Sequence, residues 1–382
     1  MTRKGVWNLQ QVRDKYLQSL WANNNQLFYW GENNRGDFGQ NNRTNYSSPV
    51  QVPGTTWGNT PGKSTFYTSG GTANVKEDGT LWMWGSNAKG QLGHNNIIDY
   101  SSPVQVGSGT DWSEVLTGNN CTFATKTDGT AWVWGNNYYG KLGINSNTYQ
   151  SSPCQIPGTT WSTIVPQRYS GIGVKTDGTL WTWGYNDEGH LGQNNTTHYS
   201  SPVQVPGTTW SNACGDSDVL AVKTDGTMWA WGKNSQGQLG LNNRTTYSSP
   251  VQVGSDTTWS DQFNTVYSSS GATKTDGTLW AWGYNGQGQS GQNNRTAYSS
   301  PVQVGSGTDW NFMSLASYRM TAIKTDGTLW IWGENQTGTL GLNQANEARY
   351  SSPVQIPGTW GSVRLTSNYS FGIKKSLTPS QL

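Results

Sequence analysis

The 382-residue chain sets 24 Lys and Arg against 22 Asp and Glu, a formal net charge of +2 with only 12% charged residues. So sparse and even a balance argues against nucleic-acid binding and against a solvated charged tail. Twenty-two Trp and 49 Gly in a hydrophilic sequence point to large aromatics buried at fixed places between many turns, and no stretch of 18 apolar residues suggests membrane insertion.

In chain order the first feature is "GVWNLQQVRDKYLQSLW", residues 5–21. Leu9, Val12, Tyr16, Leu17 and Leu20 share one face at helical spacing, with Asn8 placed to cap the helix and Trp7 and Trp21 flanking it. The expected first domain, residues 1–25, is thus a short amphipathic anchor helix, and it lacks the apolar core of a signal peptide. The segment resembles N-terminal stretches of the form G-[VL]-W-x-L that precede tail, fibre and head-surface proteins of marine bacteriophages. That resemblance implies attachment to other virion structural proteins.

Next come "LFYWG" (Leu27–Gly31) and "PVQV" (Pro49–Val52), and then a phrase repeated along the chain. "KTDGTLWAWG" (274–283) has close copies at 126–135, 175–184, 223–232 and 324–333 and a looser one at 76–85. WG pairs begin at Trp30, Trp84, Trp134, Trp183, Trp231, Trp282 and Trp332, so the period is about 50 residues. Within a unit, Asp-Gly signals a two-residue hairpin turn, and "LWAWG" is apolar on both faces and reads as a strand covered on both sides. "PVQV" opens with Pro, as a strand start or edge does. A further strand starts at the Trp of "GTTW" or its variants: Trp57, Trp112, Trp161, Trp210, Trp259, Trp310 and Trp360. Four short antiparallel strands per unit describe a propeller blade.

The chain ends with strands expected over Trp360–Lys374 and a tail over 376–382. The two N-terminal strands and these two C-terminal strands add up to one missing blade. The expected fold is therefore all-β: a seven-bladed β-propeller of four-stranded antiparallel blades over residues 26–375. Its ring would be closed by N- and C-terminal strands sharing one blade, which leaves no free sheet edge. "DGTMWAWGKNSQGQLG" (225–240) and "DGTLWMWGSNAKGQLG" (78–93) resemble the repeats of the regulator-of-chromosome-condensation family, and the resemblance runs over about residues 26–375. It implies a seven-bladed propeller, often with this two-ended closure. It implies no single function, because members include a nucleotide-exchange factor for a nuclear GTPase and a secreted β-lactamase inhibitor. The exchange role is not expected without a basic arm.

Motifs for catalysis are missing. Asp78, Asp128, Asp177, Asp225, Asp276 and Asp326 recur because the hairpin wants them, and His94, His190 and His198 lack metal-site spacing. Cys121, Cys154 and Cys214 show no CxxC pattern and read as small core residues. No catalytic residue, metal or cofactor is expected. Function is sought instead where the repeats differ, in the turn before the KTDG strand. Those turns hold Tyr67, Asn119, Asn120, Arg168, Tyr169, Asp216, Asp218, Tyr267, Tyr318, Arg319, Asn368 and Tyr369. Their Tyr and Arg content suits a binding face for a protein or a glycan, and Tyr138, Tyr139, Tyr185 and Tyr284 form a second set in the N-x-x-G loops.

The expectation is a non-enzymatic bacteriophage virion protein, a tail- or fibre-associated propeller displayed for host-surface contact. A capsid-surface decoration or head fibre protein is the nearest alternative. A free-standing lectin or protein inhibitor is the alternative from another class.

Overall fold

The computed structural model describes residues 28–31, 33–54, 57, 71–266, 268–316, 318–335, 340, 342, 349–365 and 370–374. The anchor-helix residues Trp7, Leu9, Val12, Tyr16, Leu17, Leu20 and Trp21 lie outside them, as do the tail 376–382 and Tyr67, Tyr267, Asn368 and Tyr369. The chain divides into two compact units, Met1–Gly171 and Ile172–Leu382.

Both units are built of consecutive antiparallel sheets. The first holds a pair over 28–51, three strands over 72–105 and four over 112–155. The second holds four-stranded sheets over 210–252 and 259–303 and a five-stranded one over 310–374. In that last sheet one strand, Arg349–Leu365, runs 17 residues. It pairs with Thr328–Glu334 through its first part and with Ser370–Lys374 through its second. The sequence there reads "PGTW", one residue shorter than the "PGTTW" of 206–210, and the chain passes straight from one strand to the next without a turn.

The hairpin differs in detail from its expected form. Lys126 N donates to Thr130 O at 2.9 Å and Gly129 N to Lys126 O at 3.0 Å. Three residues therefore lie between the paired ends, and Gly129 alone among them has positive φ, 78°. That is the bulged three-residue loop rather than the two-residue turn. Glycine is required at this position on a second count. At Gly226 an added Cβ would stand 2.1 Å from Thr257 O, because Trp259 N of the following sheet donates to Gly226 O.

Asp and Thr of the same phrase have distinct tasks. Asp78 Oδ1 accepts from Thr80 N at 3.0 Å and Thr80 Oγ1 at 2.6 Å, and Thr80 Oγ1 accepts from Trp82 Nε1 at 2.8 Å. The same relay recurs at Thr278, with Asp276 and Trp280. The hydroxyl and amide of Thr hold these carboxyls below their ordinary pKa. The phrase's Lys lies over indoles: Lys223 Nζ is 4.7 Å from the Trp210 ring and 4.6 Å from that of Trp229.

The WG tryptophans are the seam of the core. Trp134, Trp231, Trp282 and Trp332 are at most 1% exposed. Each donates its indole N–H to a loop carbonyl of the preceding sheet: Gln91, His190, Gln238 and Gln289 respectively, at 2.8–2.9 Å. The first Trp of each WxWG is only half buried, so the two Trp of one strand are not equivalent. In the second unit, Leu220, Met228, Ala230 and Leu239 pack with Trp259, Phe263, Ala272 and Trp282 of the next sheet in one cluster. The three cysteines are free.

Candidate functional site

The WG-x-N loop sets the local frame. Asn137 is fully buried; its Oδ1 accepts from Leu142 N at 2.9 Å and its Nδ2 donates to Ser146 O at 2.7 Å. A carboxamide is needed because one side chain must accept and donate at once. This staple recurs at Asn87, Asn186, Asn234 and Asn285. It fixes the next residues, among them the position two before the second loop glycine, which reads Gln91, Lys141, His190, Gln238 and Gln289. That position is buried and changes chemistry from repeat to repeat, and Gln91, Lys141 and Gln289 reach the variable turns at Asn120 Oδ1, Asn119 O and Ser269 Oγ.

In the first unit's sheet over 112–155 it is Lys141, 1% exposed. Its Nζ donates to Asn119 O at 2.6 Å and to Arg168 O at 3.4 Å. One ammonium thus ties together two successive variable turns, those of the expected residues Asn119, Asn120, Arg168 and Tyr169. A buried ammonium is costly unless hydrogen-bonded, and two backbone carbonyls supply that here. Cys121 lies beneath, fully buried, its thiol pushed up by desolvation with Lys141 acting in the opposite sense.

Above the ammonium the aromatics gather. Tyr138, 55% exposed, meets Tyr139 edge-on with ring centroids 4.5 Å apart, and Tyr139 meets Tyr169 at 6.0 Å. Arg168 lies over the Tyr169 ring at 5.1 Å and is exposed. Tyr139 holds φ 62°, a backbone region that a bulky residue rarely enters, whereas the corresponding Lys89, Glu188, Gln236 and Gln287 have no positive φ. The two tyrosine sets separated by sequence reasoning are therefore one cluster in this unit.

In the second unit the expected residues fall differently. Asp218 and Arg319 are 5% and 3% exposed, so neither is an open face residue. Each starts a strand and stands opposite the Gly of a WG pair, Gly232 and Gly333, which sets its side chain into the sheet edge. Asp218 accepts from Thr265 Oγ1, and Ser270 Oγ lies 3.1 Å from the same hydroxyl. Burial, with Asp216 nearby, raises the Asp218 carboxyl to about 7 despite the Thr265 bond. Asp216 itself is half buried. Burial also lowers the Arg319 guanidinium, with Glu334 opposing it. Tyr318, half buried, meets Tyr284 at 6.0 Å.

Sequence reasoning missed Lys141 and treated His190 as a loop residue. His190 is 2% exposed, and desolvation, aided by the charge of His198, drops its pKa to about 4. The readable signal was the alternation Gln, Lys, His, Gln, Gln at one otherwise fixed place in the repeat. Among the described residues no group of three His, Cys, Asp or Glu is placed to hold a metal. No described helix is long and apolar enough to cross a membrane.

Comparison with known proteins agrees with this build. No curated protein sequence matches the chain significantly. The structure of human WBSCR16 aligns with a TM-score of 0.74 at 19% identity, covering 92% of this chain and 100% of that one. Prp20p of Saccharomyces cerevisiae, described with its binding to Gsp1p and histones, aligns at 0.71 and 17%, covering 93% and 92%. Yeast RCC1 (Prp20) bound to Kap60 aligns at 0.73 and 17%, covering 94% and 91%. At such identities the likeness shows the fold alone, an all-β propeller of four-stranded antiparallel sheets. The profile of the regulator of chromosome condensation (RCC1) repeat matches residues 78–125, 128–165, 177–222, 225–273 and 326–366. With more than half of its length matched, the chain belongs to the regulator of chromosome condensation (RCC1) repeat family.

Proposed function

We propose that this chain is a non-enzymatic interaction propeller that takes a protein partner on the tyrosine–arginine cluster of residues 119–169. The carrying observation is Lys141, whose buried ammonium bonds the carbonyls of Asn119 and Arg168. Loops held in place by a buried cation need little further ordering when a partner docks. Arg168, Tyr169 and Tyr138 supply the residue types that dominate binding energy at protein interfaces. The structural relatives support the class of activity, since Prp20p binds Gsp1p and histones and is held by Kap60.

The finer reading places the propeller in a bacteriophage virion, anchored by residues 8–21 and displayed for host-surface contact. Seven WG units support seven blades, with the strand pairs 28–51 and 360–374 completing the last and closing the ring. Immunogold labelling of particles from the source culture tests the location. Label on tails or heads supports it, and particles without label overturn it.

The binding face is tested by a photocrosslinking residue at Tyr138 in the full chain, within its native source. We expect one discrete adduct, lost in Arg168→Ala and reduced in Lys141→Gln, which installs the side chain of the sister repeats. Adducts indifferent to both substitutions would reject this face.

A further inference from the structure

The unit Ile172–Leu382 contains a cleft of about 460 Å³ bordered by Leu241, Asn242, Tyr247, Gln252, Asp256 and Trp280. Two features in combination shape it. At the place of Leu241, three other repeats carry His94, Ile144 and Leu342, and three carry Gln40, Gln193 and Gln292. Each of these Gln side chains donates its Nε2 to a strand-end carbonyl, Gln51 O at 2.6 Å, Gln204 O at 3.1 Å and Gln303 O at 2.9 Å. The Leu241 side chain has no donor, so the matching carbonyl of Gln252 is left without that amide, and a half-buried isobutyl group borders the cleft in its place.

The second feature is Asp256. The turn 254–259 reads "GSDTTW" where 107–112 and 305–310 read "GSGTDW", so a carboxylate stands in the place of Gly109 and Gly307. Its Oδ2 accepts from Lys274 Nζ at 2.9 Å, while the side chain remains 54% exposed. Asn242 Oδ1 accepts from Ser300 Oγ at 3.2 Å, which leaves its amide NH₂ as a donor. Trp259 also borders the cleft; it is 3% exposed and its Nε1 has no hydrogen-bond partner.

We propose that this cleft binds the ring of a neutral saccharide. The volume is that of a small-ligand site. A pyranose has an apolar C–H face to lay on Trp280, Tyr247 and Leu241. Its hydroxyls both donate, here to Asp256 and the Gln252 carbonyl, and accept, here from the Asn242 amide. An apolar ligand would leave those polar groups unpaired at a cost, and an anion would meet the Asp256 carboxylate. The site is independent of the protein-binding cluster in residues 119–169 and stands or falls separately.

Saturation-transfer NMR on the full chain tests it, with the methyl glycosides of glucose, galactose, mannose and N-acetylglucosamine as probes. At least one is expected to show transfer. Leu241→Gln, which refills the cleft with the sister side chain, should weaken that sugar about tenfold, as should Asp256→Gly, through the loss of one or two hydrogen bonds. Leu241→Gln carries a residue that other repeats already fold with, so its thermal unfolding should be unchanged, and it decides the question. Asp256→Gly also takes the carboxylate away from Lys274, is expected to melt earlier, and counts only if it still unfolds cooperatively above the assay temperature. No transfer from any of the four sugars, or transfer that survives the substitutions, overturns the proposal.

Discussion

Gly135 in the first unit and Gly232 in the second hold the same place in the repeat, yet their neighbours differ in kind. An added Cβ would meet a turn carbonyl at both, Asn120 O at Gly135 and Ser217 O at Gly232, but the residues that close in beside it are Gln91 and Cys121 at the first and His190 and Asp218 at the second. Around both glycines the frame is the same: a WG Trp fully buried and bonded to the preceding sheet, and an Asn staple behind it. The two flanking positions carry an amide and a thiol in one case and an imidazole and a carboxyl in the other, and all four residues are buried. The repeat therefore separates two tasks. A constant layer of indoles and carboxamides holds the sheets, and a few buried positions are free to vary in chemistry without disturbing it.

The constant layer is the place to break the molecule. Trp282 is 1% exposed within the cluster that joins two sheets of the second unit, and its N–H bonds Gln238 O at 2.8 Å. Trp282→Ala is expected to cost about 3–5 kcal/mol, read as a lowered urea midpoint. Gln238→Leu, at a varying position, leaves that backbone carbonyl in place and should cost far less. Equal losses would refute the division into constant and variable layers.

The second effect is a pair of opposed pH slopes. The Asp218 carboxyl titrates at about 7 in the fold, raised from 3.8 by burial. Between those values the folded chain holds a proton that the unfolded chain has released, so stability falls as pH rises through that window. His190 is lowered from 6.5 to about 4 by desolvation. There the unfolded chain takes a proton that the folded chain refuses, so stability falls as pH drops through the window. Each slope is about 1.4 kcal/mol per pH unit, and over pH 4 to 6.5 they offset one another. Wild-type stability is expected to be nearly flat across that range. Asp218→Asn should unmask a rise with pH, and His190→Gln a fall. Parallel profiles for the two variants would mean that neither group is buried as described.

These positions explain which part of the molecule could be read from its letters. The hairpins, the strand order and the core tryptophans rest on local chemistry repeated in every unit, and each repetition reinforces the reading. Asp218 had no such help. In the string "CGDSDVL" it looks like a loop acid, and its burial is decided by Thr265, 47 residues onward. Lys141 likewise looks like an ordinary surface lysine until the carbonyls of Asn119 and Arg168 are seen around it. The unbroken strand Arg349–Leu365 was hidden by one missing residue in an otherwise familiar turn. In each case the deciding partner lies in another repeat or in a register shift, where periodicity carries no information.

The smallest expected effect tests whether the frame is truly the same in both units. Thr80 in the first unit and Thr278 in the second accept from an indole N–H at 2.8 Å and bond Oδ1 of Asp78 or Asp276 at 2.6 and 2.7 Å. Thr→Val at either place keeps the shape and removes both side-chain hydrogen bonds, at a cost of about 1 kcal/mol. These bonds are also the first cause of the lowered Asp78 and Asp276 pKa values. The stability they confer is present above the ordinary carboxylate range and is lost as pH falls through it. Each Val variant should therefore be most destabilised near neutrality and approach wild type in acid, where only the loss of the indole bond remains, by the same amount in both units. A loss at one site without the other would mean that the repeated phrase is repeated in sequence but not in energy.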